Sequence, residues 1–268
     1  MELLLIDLNY VYNKYYYVAS QREGDVHKTC HSMLLGFFHR IPSKYKIIFC
    51  IDGTNPVTKS IFEEYKVGRP NKDKLYEHYE DFHHIIAKEF PAALVLKNDE
   101  AEADELIAYF VIENRHKKVL VFSGDKDLLQ LSTYCDISNT FKNGEFIRLS
   151  KVDILSKFKY NKEEVIKDKK EILAYRVFTG DTSDKIPPAI PRLPWKSKQV
   201  LVDLLAPLDE VSEETIQLTV DELFNRGEDA LAEKVIPYMN EIIRNYKLMS
   251  LLNVCKKKYV IEGIRKIR

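Results

Sequence analysis

An α/β domain with a mainly parallel sheet, followed by an all-helical subdomain, is the fold class the sequence predicts. Three observations lead there: apolar runs that end on acids, helical spacing between those runs, and a change of pattern near residue 165. The runs at residues 3–6, 47–51 and 119–122 are continuously apolar, as parallel strands buried on both faces should be. A weaker strand is expected at 93–96. Between the runs, residues 28–39, 76–89 and 103–113 repeat apolar residues at helical spacing, giving the strand–helix alternation of an α/β domain.

The stretch from 53 to 90 is rich in charge and tyrosine, with Lys59, Glu63, Glu64, Tyr65, Lys66, Arg69, Lys72, Asp73 and Lys74. By itself it reads as a solvated helical connection. Beyond about residue 165, helical segments flank a proline-rich stretch, residues 186–194. The expected division is therefore 1–165, with a helical arch at about 55–90, and 166–268.

The 268 residues are 45% hydrophobic, enough for one large core or a core with a satellite domain. Basic and acidic residues number 41 each, so net charge gives no global sign of a polyanionic partner. Cys30, Cys50, Cys135 and Cys255 lie far apart with no C-x-x-C pair, which argues against a zinc site or a disulfide framework. Neither a signal peptide nor a membrane-span run is recognisable. A cytoplasmic protein with no membrane association, the host cytoplasm if phage-encoded, is the expectation.

In open α/β sheets, ligands bind beyond the carboxyl ends of the strands, so acids directly after strands converge on one crevice. Asp7, Asp52 and Asp125 stand at such positions. Each alone is most simply a helix cap or turn residue. Glu102, Asp104 and Glu105 gather at the start of a helix, where the macrodipole alone could favour them by about 0.3–1 kcal/mol each. Asp127 follows Asp125 around a turn, and Asp181 and Asp184 make a final pair. Nine carboxylates in one cavity would repel one another unless cations compensate. Hard ions, Mg²⁺ or Mn²⁺, suit an all-oxygen site lacking His and Cys. Two such ions can activate water and neutralise charge on a phosphodiester. With nine acids committed to metal, 32 remain to face 41 basic residues, a hidden excess of nine for holding phosphates.

These motifs resemble those of the flap endonuclease and 5′–3′ exonuclease family, particularly stand-alone phage 5′ nucleases and the 5′ nuclease domain of bacterial DNA polymerase I. Glu102-Ala103-Asp104-Glu105 is similar to the family's E-A-D-D, and Asp125-Lys126-Asp127-Leu128-Leu129-Gln130-Leu131 to D-K-D-L-x-Q-L. Gly180-Asp181-Thr182-Ser183-Asp184-Lys185-Ile186-Pro187 is similar to G-D-x-S-D-N-I-P, and Tyr65-Lys66-Val67-Gly68-Arg69 to Y-K-x-x-R.

The resemblance implies a PIN-like (FEN-like) α/β fold with a helical arch and a C-terminal helix–hairpin–helix (H3TH-like) subdomain. It implies a monomeric, structure-specific 5′ nuclease acting on 5′ flaps or single-stranded ends of branched DNA, in replication or repair, with RNA primers and RNA–DNA substrates left open. Asp7, Asp52, Glu102, Asp104, Glu105 and Asp125 would surround a first metal, and Asp127, Asp181 and Asp184, sharing Asp104, a second. Glu105 stands where the family has Asp, and its extra methylene shifts the carboxylate by about 1 Å, toward ligation through water.

Lys66 and Arg69 would act on the scissile phosphate as catalytic residues beside Asp104 and Asp125, with Tyr65 stacking an unpaired base. Lys14 matches a family position near the 5′ end. The hairpin departs from the family: residues 190–198 hold no glycine, which argues against family-style K⁺ binding and leaves Lys196 and Lys198 as side-chain phosphate contacts. Trp195 reads equally as a core anchor. The competing readings are a PIN-type ribonuclease and a non-catalytic DNA-binding protein of the same fold.

Overall fold

Strands form where the apolar runs predict them. The computed structural model describes residues 1–53, 56–67, 77–160 and 163–267. Its central strands are β1 (Glu2–Asp7), β2 (Tyr45–Ile51), β3 (Leu94–Lys97) and β4 (Val119–Phe122). β1 lies parallel between β2 and β4, with Leu5 opposite Ile48 on one side and Val121 on the other. β3 continues the parallel pairing beyond β2. Leu4, Leu5 and Ile6 are fully buried, as a strand covered on both faces requires.

A hairpin of β5 (Asp136–Lys142) and β6 (Glu145–Arg148) extends the sheet, β5 running parallel to β4. Apolar periodicity does not announce it, because only Ile137, Ser138 and Phe146 are buried along its strands. Its turn does: Asn143 and Gly144 take φ of +54° and +81°, the pattern Asn-Gly favours in two-residue hairpins. A separate ribbon pairs β7 (Lys159–Tyr160) with β8 (Glu163–Glu164), and β9 (Arg265–Lys266) closes the large sheet, whose order is β6-β5-β4-β1-β2-β3-β9.

The expected helices appear as Val26–Phe38, Tyr79–Glu89 and Ala103–Glu113. A further helix, Leu8–Ala19, begins directly after β1. Tyr12 from that helix joins Phe37, Phe38 and Phe49 in the sheet unit's core, all at most 2% exposed. Among the described residues no helix is long and apolar enough to cross a membrane, and all four cysteines are free thiols.

The chain divides into two compact units. The sheet unit comprises Met1–Pro56, Pro70–Ser150 and Val254–Arg268; the helical unit comprises Val57–Arg69 and Lys151–Asn253. Three details differ from the expected division at 165/166. The break in the chain falls at 150/151. Residues 57–69 group with the helices, because Tyr65 is buried in the helical core and Phe62 packs against it. The last residues return to the sheet: β9 pairs antiparallel with β3, and the Asn98 amide donates to the carbonyls of Tyr259 (2.7 Å) and Val260 (2.9 Å).

In the helical unit, Trp195 opens the helix Trp195–Leu205 and packs edge-on against Tyr175 at 5.8 Å, the anchor role. The glycine-free hairpin obtains a left-handed residue anyway: Arg192 sits at φ +54° between buried Ile190 and Leu193. A left-handed L-residue costs roughly 1–2 kcal/mol, partly offset because glycine has more freedom to lose on folding. Arg192→Gly is therefore expected to stabilise the protein by about 0.5–1 kcal/mol in urea unfolding. A loss of stability would show that the Arg192 side chain makes a contact worth more than this strain.

Candidate metal centre

β1 is where the chain reverses direction across the sheet, with β2 on one side and β4 on the other, so a crevice opens at these strands' carboxyl ends. Asp7 ends β1 and caps the helix Leu8–Ala19, one oxygen accepting from the Tyr10 amide at 2.9 Å. Its other oxygen accepts from the Ser123 hydroxyl at 2.8 Å, and that hydroxyl accepts from the Asp125 amide at 3.1 Å. Ser123 thus ties β1's end to the loop after β4. Asp52, just past β2, accepts from the Ala103 amide at 2.8 Å, so the end of β2 meets the first turn of the acidic helix. Asn9 braces the same corner, accepting from the Asp52 amide (3.0 Å) and the Tyr79 hydroxyl (2.7 Å). Gly53 permits this approach, since a Cβ there would fall 2.0 Å from the Asn98 carbonyl oxygen.

Asp7 is 8% exposed. Burial, then the neighbouring charges of Asp52 and Asp125, push its carboxyl up to about 7, against the opposing Tyr10 and Ser123 hydrogen bonds. A carboxylate held this unfavourably is a site that gains from a cation. The donors are carboxylate oxygens, which fit a hard divalent ion.

Glu102 and Asp104 stand at the start of the helix Ala103–Glu113, both partly exposed. Glu105 does not stand with them. It is 4% exposed, and its two oxygens are committed: one accepts from the Glu102 amide at 3.3 Å, the other from Lys257 (2.7 Å) and the Tyr259 hydroxyl (2.6 Å). Glu105, expected as a metal ligand through water, joins the acidic helix to the C-terminal segment as a strut. The longer side chain serves this reach. Burial and then the Glu105 carboxylate push the Tyr259 phenol strongly up, so it remains a donor. Tyr259→Phe is expected to cost about 2 kcal/mol in stability, because a buried charged acceptor loses one of its two strong donors. Chemical denaturation would show it, and an unchanged midpoint would refute the strut.

Asp127 opens a short 3₁₀ helix, Asp127–Thr133, and its amide donates to Asp125 at 2.8 Å. Leu128 and Leu131 anchor this turn in the core.

The remaining acids belong to the helical unit. Gly180, at φ +71°, ends the helix Glu171–Thr179 where a Cβ would meet the Ile186 carbonyl oxygen at 2.4 Å. Asp181 and Ile186 then exchange two backbone hydrogen bonds of 2.8 Å. The Asp181 carboxylate is held by Arg176 at 2.5 Å and by the Ser183 amide and hydroxyl at 2.7 and 2.6 Å. Burial raises its pKa, but Ser183 and Arg176 outweigh burial and hold it below the usual range. Asp181, expected at the second metal, is thus a charged turn residue held by Arg176 and Ser183.

Asp184, 9% exposed, accepts the Lys66 amide on its carbonyl at 3.0 Å and faces the Lys66 ammonium at 4.0 Å. Tyr65, expected to stack an unpaired base, is 5% exposed within the helical core, with Lys66 over its ring at 4.8 Å. Arg69 lies outside the described residues. Lys14 is exposed and donates to the Asn139 carbonyl at 3.1 Å. Lys196 and Lys198 sit in the first turn of the helix Trp195–Leu205, Lys198 partly buried and its pKa lowered by that burial.

Sequence reasoning missed Ser123, Asn9, Arg176, Lys257 and Tyr259, each of which orients an acid. Ser123 carried a signal: a polar residue on the last step of an apolar strand, next to Gly124-Asp125.

Three kinds of likeness bear on this arrangement. The family described as 5′-3′ exonuclease, N-terminal resolvase-like domain, matches residues 2–168. A 5′-3′ exonuclease of Buchnera aphidicola subsp. Acyrthosiphon pisum is 26% identical over 224 residues, 78% of this chain and 72% of that protein. That of subsp. Schizaphis graminum is 30% identical over 163 residues, 59% and 52% of the two chains. Among solved structures, the bacteriophage T5 flap endonuclease in a pseudo-enzyme-product complex with DNA and metal ions superposes with a TM-score of 0.65. That match has 14% identity and covers 98% of this chain and 96% of that one. The family match spans the strands that carry Asp7, Asp52 and Asp125 and the helix that begins at Ala103, and the chain belongs to the 5′–3′ exonuclease family.

Proposed function

We infer that the protein is a divalent-metal-dependent 5′ nuclease that hydrolyses phosphodiester bonds at 5′ flaps or single-stranded 5′ ends of branched DNA. The observation that carries this is the meeting of Asp7, Asp52 and Asp125 at the carboxyl ends of three adjacent strands, one of them pushed to about 7 by burial and by the other two. Asp7, Asp52, Asp125, Glu102 and Asp104, with Asp127, are the residues of the sheet unit that would hold Mg²⁺ or Mn²⁺. A bound divalent ion supplies Lewis-acid charge and a more acidic water. The chain's own contribution is to fix the carboxylates through Ser123, Asn9 and the Ala103 amide, and to present Lys66 as a cation for the phosphate. The phage relative crystallised with DNA and metal ions has the same fold. Its family's exonuclease activity and the basic excess outside the nine acids fit a nucleic-acid substrate. Four free thiols suit a reducing compartment.

The test is cleavage of a labelled 5′-flap duplex by the full chain with Mg²⁺ and with EDTA, beside nicked and RNA–DNA substrates. Asp125→Asn is expected to reduce cleavage at least a thousandfold while binding of the flap duplex changes less than threefold, since it removes a metal ligand and no phosphate anchor. Lack of metal-dependent cleavage on every substrate would overturn the nuclease reading. Equal loss of binding and cleavage in the variant would overturn the role of Asp125.

A further inference from the structure

Away from the acids, the described residues bring together one group of three side chains whose metal-ligand atoms all lie within 4.8 Å of one another: His27, Glu77 and His78. It forms where two helices begin. His27 is the second residue of Val26–Phe38, whose cap is Asp25, and Glu77 and His78 lead into Tyr79–Glu89. The two imidazoles pack edge to face with ring centres 4.7 Å apart. Two details distinguish the group from a chance surface cluster. The Nδ1 of His27 is buried and has no hydrogen-bond partner, a cost that a ligand would remove. His78 Nδ1 is 3.4 Å from the Asp81 carboxylate, one turn along the next helix, the arrangement by which a carboxylate orients a metal-bound histidine through its second nitrogen. Behind them His31 is engaged elsewhere, with Nε2 3.2 Å from the Tyr12 hydroxyl and its ring stacked on Phe82.

We propose that His27, His78 and Glu77 form a transition-metal site, of Zn²⁺ type, that clips the start of the helix Tyr79–Glu89 to the start of Val26–Phe38. Two imidazoles and a carboxylate are a donor set for zinc, nickel or copper, whereas magnesium and manganese favour carboxylate and water. The site therefore selects a different ion from the carboxylate centre. At Zn–N distances of about 2.0–2.1 Å, tetrahedral ligands stand roughly 3.3 Å apart. The group must contract by about 1.5 Å, within reach of side-chain rotation because Glu77 and His78 are exposed. Three protein ligands leave the fourth position to water. The site stands or falls independently of cleavage.

Zn²⁺ alone, titrated into the chelator-treated full chain without Mg²⁺, tests it by NMR of the imidazole nitrogens and by melting temperature. The expected result is that His27 and His78 resonances shift together at the first equivalent and the melting temperature rises. His78→Ala, at an exposed position, should weaken binding at His27 at least tenfold and reduce the rise. Glu77→Gln should weaken it less, and Asp125→Asn should leave it intact. Shifts absent from both histidines, or His78→Ala binding Zn²⁺ as tightly as the parent chain, would overturn the proposal. So would loss of the response in Asp125→Asn, which would assign the zinc to the carboxylates.

Discussion

Asp7→Asn is expected to eliminate metal-dependent cleavage and, at the same time, to make the metal-free protein more stable at pH 8. The carboxyl ionises near 3.9 in an unfolded chain but near 7 in the fold, where burial and then Asp52 and Asp125 oppose its charge. The folded state therefore holds a proton more tightly than the unfolded one. Between about pH 4 and 7 the unfolded chain has released that proton while the folded chain retains it, so stability falls as pH rises through this window. Above pH 7 the accumulated penalty is of the order of 4 kcal/mol, at about 1.4 kcal/mol per pH unit. Asparagine has no such charge. It keeps the cap on Leu8–Ala19, because its side-chain oxygen can accept from the Tyr10 amide as the carboxylate does.

The measurement is urea unfolding in EDTA at pH 5 and pH 8 for both proteins. The parent chain should lose stability between the two pH values and the variant should lose much less. Asp181, whose pKa is depressed, acts in the opposite sense and at lower pH: its contribution is present above about 3.9 and fades as pH falls. It is common to both proteins, so it cancels in the comparison. Divalent ion should restore the parent chain at pH 8 and leave the variant unmoved. A variant less stable than its parent at pH 8 would mean that Asp7 is not repelled, and the argument for a cation at the strand ends would lose its footing.

What the sequence discloses about this centre follows from the range of the interactions. β1, β2 and β4 were legible because strands buried on both faces must be apolar throughout, and the acids after them because a parallel sheet puts its carboxyl ends on one edge. The fate of Glu105 was not legible. Its partners lie 152 and 154 residues away in a segment that reads locally as basic and exposed. Tyr65 was misplaced for a similar reason: a tyrosine amid charges reads as surface, yet its neighbours in space are the helices beyond residue 151. The lack of glycine in the hairpin argued against family-style K⁺ binding, and it hid the left-handed residue that Arg192 supplies, since surrounding structure can hold one ordinary residue in that region at a cost of about 1–2 kcal/mol.

Lys66→Ala should slow turnover by about a hundred- to a thousandfold with a much smaller change in KM, the signature of an interaction made chiefly in the transition state. Lys66 is built for position. Its φ of +57° is a left-handed conformation that a lysine adopts only when its surroundings impose it, and the Asp184 carbonyl fixes its amide at 3.0 Å. The ammonium lies over the buried Tyr65 ring, so the stem has little freedom to lose when a phosphate arrives. Its contact with the Asp184 carboxylate is long, at 4.0 Å, and with 24% of the lysine side chain exposed it is worth only about 1 kcal/mol or less. Transfer of the cation to a phosphate is therefore inexpensive. Lys66→Gly separates charge from backbone: glycine removes the left-handed strain, so this variant should be at least as stable as Lys66→Ala while losing as much activity. Lys66→Arg keeps the charge and should recover part of the rate. Single-turnover cleavage of a 5′-flap duplex, paired with direct binding, distinguishes these cases. Full activity in both Lys66→Ala and Lys66→Gly would remove Lys66 from the reaction and leave it as a turn residue beside Asp184.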